Sequence, residues 1–350
     1  MNLSTLPRLR TAAVAIALTL SVAACGGGSG SSEAASPAAG GGDASPAAGG
    51  EGGSADGELI SVGFSQVGAE SGWRAANTQS IQETLTEENG FELSFSDAQQ
   101  QQQNQIQAIR TYIAQGVDVI AFSPVVESGW DAVLEEAAAA DIPVVLTDRA
   151  VDTQNEDLYV SFIGSDFVEE GRRAGQWVSE ELGTEPINVV ELQGTTGSAP
   201  ANDRKAGFEE AIADNDNVTI TASQTGNFTR AEGRQVMEGF LQSEGAENID
   251  VLYAHNDDMG LGAIEAIEAA GLVPGEDIKI VTIDAVRDGM QALADGKINF
   301  IVECNPLLGP DLAQIITDVV NGVPVDKRIV VEDESFTQEQ AIEALPDRQY

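Results

Sequence analysis

Short apolar runs alternate along this chain with longer stretches in which apolar residues recur every three to four positions. The runs at 60–64, 91–95, 117–122, 142–146 and 159–163 have the length of buried strands, and a second series follows at 187–192, 218–222, 251–253, 278–283 and 300–302. Between the runs the spacing predicts helices, among them 73–88, 100–115, 130–140 and 310–321. The second of these places Ile106, Ile109 and Ile113 on one face. The last carries Leu312, Ile315, Ile316 and Val319 at the i, i+3, i+4, i+7 spacing of a core-facing stripe. Strand–helix alternation builds parallel sheets with helices on both faces. Two successive series therefore predict an α/β fold of two doubly wound parallel-sheet lobes.

In such sheets ligands bind where loops converge beyond the carboxyl ends of the strands, and here those ends are polar. Gln66 follows the first strand, and Glu70-Ser71-Gly72-Trp73-Arg74 opens the next helix. Asp97 follows the second strand and Asp148-Arg149 the fourth. In the second series Asn202-Asp203-Arg204, Asn227-Phe228, Asn256-Asp257-Asp258, Asp284 and Glu303 hold the equivalent places. Carboxylates, amides and guanidinium groups suit a neutral polyhydroxylated ligand, because a hydroxyl donates to a carboxylate while it accepts from an arginine or amide. An aromatic face can cover the C–H side of a sugar ring. Any one of these residues also serves as a helix cap, Asp97 and Asp284 included, but the set together points to a site.

Charge removes one class of function. With 57 acidic against 17 basic residues the net charge is −40, a field that repels nucleic acid and anionic lipid headgroups. A single histidine and no cysteine cluster make a zinc site improbable, and no metal or cofactor is expected. The only cysteines are Cys25 and Cys304, the second expected to be a small buried hydrophobe.

The first residues read as an address. Arg8 and Arg10 precede an apolar run that ends at Ala23, too short to span a bilayer and of signal-peptide length. Residues 1–24 are expected to be removed. Val22-Ala23-Ala24-Cys25 resembles a bacterial lipobox, which implies lipidation at Cys25 and attachment to the cell membrane on its outer side. The Gly/Ser/Ala-rich stretch to residue 57 has nothing to build a core with, and reads as a disordered tether with a reach of about 30 Å.

The segments VGFSQVGAESGWRAAN (62–77), QQQQNQIQAIRTYIAQGVD (100–118), PVVESGWDAVLEEA (124–137), VVELQGTTG (189–197), NDRKAGF (202–208), SQTGNFTR (223–230) and YAHNDDMGLGAI (253–264) resemble the periplasmic sugar-binding proteins of the ribose and galactose type, in particular the galactofuranose-binding members that serve ABC transporters. The resemblance spans both predicted lobes. It implies the type I periplasmic binding protein fold, with lobe one at 58–164 plus 304–328, lobe two at 165–303 plus 329–350, and a three-strand hinge. It implies a monomer that delivers a sugar to permease subunits. Position by position, Asp148 and Arg149 match a pair that grips ring hydroxyls, Phe228 an aromatic over the ring, and Asn256 and Asp284 second-lobe hydroxyl ligands. Glu303 falls where ribose-type relatives hold a glutamine, while Trp73 and Arg74 fit the furanose pattern. Arg204 belongs to an Arg-x-x-Gly-Phe spacing that recurs in relatives as structure. Galactofuranose is the first expectation for the ligand, with Glu70 and Arg74 reading its exocyclic diol.

Other classes fit less well. A sugar-responsive repressor needs a basic helix-turn-helix ahead of the core, where this chain has a leader and tether. An enzyme is not expected, since there is no P-loop or GxSxG motif, although two cleft carboxylates suit glycosidase chemistry in principle. A sensor component that hands its sugar to a receptor shares every feature above.

Overall fold

The structure, a computed structural model, describes residues 57–350. The leader, Cys25 and nearly all of the tether lie outside the described residues.

Two six-stranded sheets form the framework. The first contains β1 (Ile60–Gln66), β2 (Phe91–Asp97), β3 (Val119–Phe122), β4 (Val144–Thr147) and β5 (Ser161–Gly164). The second contains β6 (Ile187–Gln193), β7 (Val218–Thr225), β8 (Val251–Ala254), β9 (Lys279–Asp284) and β10 (Phe300–Glu303). Each sheet gains one late strand, β11 (Arg328–Val330) beside β5 and β12 (Ser335–Phe336) beside β10. Orders are β11-β5-β4-β3-β1-β2 and β12-β10-β9-β8-β6-β7, all parallel except β12. Strands such as β3, β4 and β8 are buried along their whole length, as expected for strands covered on both faces.

Helices cover both faces of each sheet. In the first lobe α1 (Gly72–Thr84), α2 (Gln102–Gln115) and α3 (Asp131–Ala139) follow β1, β2 and β3. In the second, α4 (Phe167–Trp177) leads in, α5 (Ala199–Ile212), α6 (Arg230–Phe240), α7 (Asp257–Ala269) and α8 (Arg287–Ala294) follow strands β6 to β9, and α9 (Gly309–Val320) returns to the first lobe. There Leu312, Ile315 and Ile316 join Ile60, Val62 and Phe64 in the core, as their spacing predicted. The glutamine tract likewise enters a helix, and buried Gln105 ties Ser123 O to the amide of Val125.

Two of the boundaries that differ from the sequence reading have a visible cause. The first helix stops at Thr84, since Thr86 caps a separate short turn at Glu87–Asn89 that Gly90 closes in the left-handed region. The last crossing between lobes comes later than residue 328, because Arg328–Val330 pair with Phe162–Gly164 and Val331 N still donates to Gly164 O. The chain then passes to β12 and α10 (Gln338–Ala344), which pack on the second lobe. It thus passes between the sheets three times: after β5, after β10 and after β11.

Candidate functional site

The carboxyl ends of both sheets face one cleft, with a cavity lined by Glu70, Ser71, Trp73, Arg74, Asp148, Arg149, Pro200, Arg204, Phe228, Asn256 and Asp284. The lobes meet around it. Gly72 N donates to Asp258 Oδ2 at 2.7 Å, Glu127 N to Gly197 O at 2.9 Å, and Asn202 Nδ2 to Glu127 Oε2. Trp73 inserts among second-lobe core residues such as Phe167 and Val302, with its Nε1 donating to Cys304 O at 2.6 Å. Cys304 is a buried free thiol, as expected.

On the first-lobe side Ser71 caps α1 by accepting from Arg74 N, which places Arg74 in the first helical turn, only 2% exposed. Its guanidinium donates to Glu70 Oε1 at 3.1 Å, Gln66 Oε1 at 3.2 Å and Asp148 Oδ2 at 2.6 Å. Ser123 Oγ donates to the same Asp148 oxygen at 2.9 Å. Asp148 has a φ of 63°, a left-handed conformation that asparagine and aspartate tolerate best. Arg149 packs against Phe228 of the other lobe, its guanidinium 5.3 Å from the ring. It donates to Val125 O at 3.2 Å and to Glu70 Oε1 at 3.5 Å. Its Nε has no hydrogen-bond partner, and neither has Glu70 Oε2. Burial, then the charge of Arg74, lowers the Arg149 pKa to about 10.

On the second-lobe side close helix packing positions Arg204. A Cβ at Gly207 would lie 2.0 Å from Val168 O, and one at Gly171 2.0 Å from Arg204 O, so α4 and α5 touch only because both positions are glycine. Phe208 stacks on Tyr253 below. Gly207 and Phe208 of the Arg-x-x-Gly-Phe stretch are therefore packing residues, and the same helix delivers Arg204 to the cleft. Arg204 donates to Glu170 Oε2 at 2.7 Å and His255 O at 2.6 Å, with Nη2 3.6 Å from Asp284 Oδ1. Burial works against the Arg204 charge, but Glu170 and Asp284 hold its pKa above the ordinary arginine value. Burial pushes Asp284 well above the usual carboxylate range despite Arg204 beside it. The same cause lifts Glu170 to about 8.

Phe228 lies between the two arginines, with Arg204 5.9 Å from its centroid. Its ring sits directly on Gly194, where a Cβ would come within 1.9 Å of Phe228 Cζ. Phe228 has a φ of 62°. Asn256 caps α7 through Met259 N and donates to Phe228 O at 3.2 Å. It steadies the aromatic while lining the cavity.

Three sequence candidates stand elsewhere. Gln66 lies behind the cavity, holding Arg74 with Oε1 and Asn77 and Thr78 with Nε2. Asp97 is exposed and accepts from Gln99 N, turning the chain into α2, so its position at a strand end marks a turn. Glu303 is buried outside the cavity lining, both oxygens taken by Arg348, Tyr350 and Glu334 N. No repeating pattern announces those C-terminal partners, which is why Glu303 reads as a cleft residue. Ser71 and Pro200 line the cavity without having been singled out. Ser71 stands in the conspicuous 70–74 turn, whereas Pro200 carries no polar signal.

The sequence pattern of the periplasmic binding protein domain matches residues 62–322. The galactofuranose-binding protein YtfQ of Escherichia coli (strain K12) is 45% identical over 288 residues, 82% of this chain and 90% of that protein. A crystal structure from Mycobacterium smegmatis in complex with β-D-fucofuranose shares 62% identity at a TM-score of 0.81, covering 83% of this chain and 96% of the other. The binding component of the arabinose ABC transporter from Shewanella sp. ANA-3, bound to α- and β-L-arabinofuranose, shares 46% identity at a TM-score of 0.79, covering 83% and 95%. The Escherichia coli and Shewanella relatives are binding proteins and not enzymes. The chain belongs to the periplasmic binding protein family, as a sugar-binding protein of the type that serves ABC importers.

Proposed function

We propose that the cleft binds a five-membered-ring aldose with the ring configuration of galactofuranose. The observation that carries this reading is the mix of donors and acceptors around one aromatic face. Arg74, Arg149 and Arg204 meet the carboxyl groups of Glu70, Asp148 and Asp284 around Phe228, so a chain of net charge −40 offers its ligand a cleft that sets guanidinium donors beside carboxyl groups. An ionic ligand would leave one sign uncompensated in a buried site, whereas hydroxyls both donate and accept. Arg149 Nε and Glu70 Oε2, a donor and an acceptor without hydrogen bonds, are suited to one such hydroxyl.

The relatives support the ring form. D-Galactofuranose, D-fucofuranose and L-arabinofuranose share configuration at ring carbons C2 to C4 and differ in the group on C4: a diol, a hydroxyethyl and a hydroxymethyl. The ring is what these three ligands hold in common, and the exocyclic arm separates them. Arg74 directs donors to Glu70, Gln66 and Asp148, so Arg149 and Glu70 are the better readers of that arm.

Calorimetric titration with D-galactose, D-fucose, L-arabinose and D-ribose, each at ring-form equilibrium, tests the reading. The first three should bind and ribose should bind at least tenfold more weakly. With D-fucose labelled with ¹³C at C1, the bound anomeric carbon should resonate at a furanose position. Equal ribose binding, or a bound six-membered ring, refutes it. Lipidation at Cys25 and delivery to permease subunits complete the proposal. A mature N-terminus at another residue, without acyl mass, would remove the anchor.

A further inference from the structure

The turn that presents Asp284 to the cleft is gripped from outside the cleft. Asp284 and Ala285 have φ values of 122° and 61°, conformations that persist in side-chain-bearing residues only where the surroundings over-determine them. Asp284 O accepts from Cys304 N at 3.2 Å, and Val286 N donates to Asp257 Oδ2 at 2.8 Å. The remaining grip comes from beyond α10, where Arg348 Nε donates to Ala285 O at 2.7 Å.

Arg348 is itself held. Its Nη1 lies 2.7 Å from Glu303 Oε1, and the Tyr350 hydroxyl donates to the same oxygen at 2.7 Å. Glu334 N donates to Glu303 Oε2 at 3.0 Å. The guanidinium stacks 4.1 Å from the Tyr350 ring centroid. Glu303 is the register partner of Asp284 across β9 and β10. The carboxylate that the sequence offered as a ligand thus anchors the arginine that holds a cleft-lining turn. Arg348 does not line the cavity.

The geometry points to Arg348 as a positioning residue for sugar binding, which sets Asp284 through the Ala285 carbonyl without touching the sugar. The inference rests on Asp284 being a sugar contact, and the experiment separates the two. Affinity for D-fucose is measured by titration calorimetry, and melting of the sugar-free protein is followed alongside, for Arg348→Ala, Asp284→Asn and the double variant. Arg348→Ala should weaken binding roughly tenfold or more, but less than about threefold further in the Asp284→Asn background, because residues that act through one another are non-additive. Tyr350→Phe, which leaves the Arg348–Ala285 bond in place, should bind as the parent does. Arg348→Lys keeps a charge for Glu303 without the Nε–H for Ala285, so it should also bind weakly while melting closer to the parent. It serves in place of Arg348→Ala should that variant not fold. Unchanged affinity in Arg348→Ala, full affinity in Arg348→Lys, or an equal loss in both backgrounds overturns the inference. Parent-like binding by Asp284→Asn overturns the site reading beneath it.

Discussion

Replacing Asp148 by asparagine tests whether the first-lobe charges are built for ligand alone or also for the fold. Oδ2 accepts from Arg74 at 2.6 Å and Ser123 at 2.9 Å, and faces Arg149 Nε at 3.8 Å. Asparagine keeps the shape and tolerates the 63° φ, so the change isolates the charge. Alanine would add backbone strain of about 1–3 kcal/mol. Breaking a buried ion pair by removing one partner costs about 3–5 kcal/mol. Arg74 keeps Glu70, so the lower end applies, about 3 kcal/mol. For roughly 300 residues the unfolding entropy is about 0.6 kcal/mol per degree, so Tm should fall by about 5 °C. A lost hydrogen bond to a charged group is worth about 1.5–3 kcal/mol, so affinity should fall by roughly ten- to a hundredfold. Asp148 thus matters to the empty protein as well as to binding. The assays are melting without sugar and calorimetry with D-fucose. Lower Tm with unchanged affinity would make the carboxylate purely structural. Weaker binding with unchanged Tm would refute the buried pair.

Gly194→Ala should displace the Phe228 ring, which a Cβ would meet at 1.9 Å, and weaken sugar binding at least tenfold while the sugar-free protein still folds; calorimetry and circular dichroism check both halves. Glu170, held at about 8 by burial, binds a proton in the fold that the unfolded chain releases near its ordinary value of 4.5. Its contribution to stability is therefore full below about pH 4.5 and is lost as pH rises through about 8. Tm measured across that range should decline less steeply in Glu170→Gln, and an unaltered slope would show that another group sets it.

Much of this architecture is legible in the sequence because its signals are local. Leu312, Ile315 and Ile316 announce a core helix by spacing alone, and the apolar runs place the strand ends where Asp148, Arg149 and Asn256 stand. Local signals also mislead in definable ways. Asp97 follows a strand as the cleft residues do, but it accepts from an amide two residues on, a turn use that sequence position does not separate from ligand contact. Glu303 fails as a cleft residue because its partners lie 45 and 47 positions later, in a segment without periodicity. Gln66 faces inward, yet Arg74 stands between it and the cavity. Which polar group reaches the cavity is decided by tertiary neighbours.

The same distinction explains why strain gathers at this site. Asp148, Phe228 and Asp284 all have positive φ, and each stands at the carboxyl end of a different strand: Asp148 between β4 and β5, Phe228 between β7 and α6, and Asp284 between β9 and α8. Each such residue is held by neighbours: Asp148 by Arg74 and Ser123, Phe228 by Asn256 on a glycine floor, Asp284 by the bonds of its turn to Cys304, Asp257 and Arg348. These contacts are made between protein groups alone, so they orient the polar groups independently of any ligand contact, which lowers the ordering cost of binding. Arg149 differs, since its Nε is buried without a hydrogen bond and faces Asp148 Oδ2 only at 3.8 Å. A ligand hydroxyl accepting from that group would remove a desolvation penalty of about 1–3 kcal/mol or more. Phe228 of the second lobe packs on that guanidinium at 5.3 Å, so the proposed contact would draw on both lobes at once.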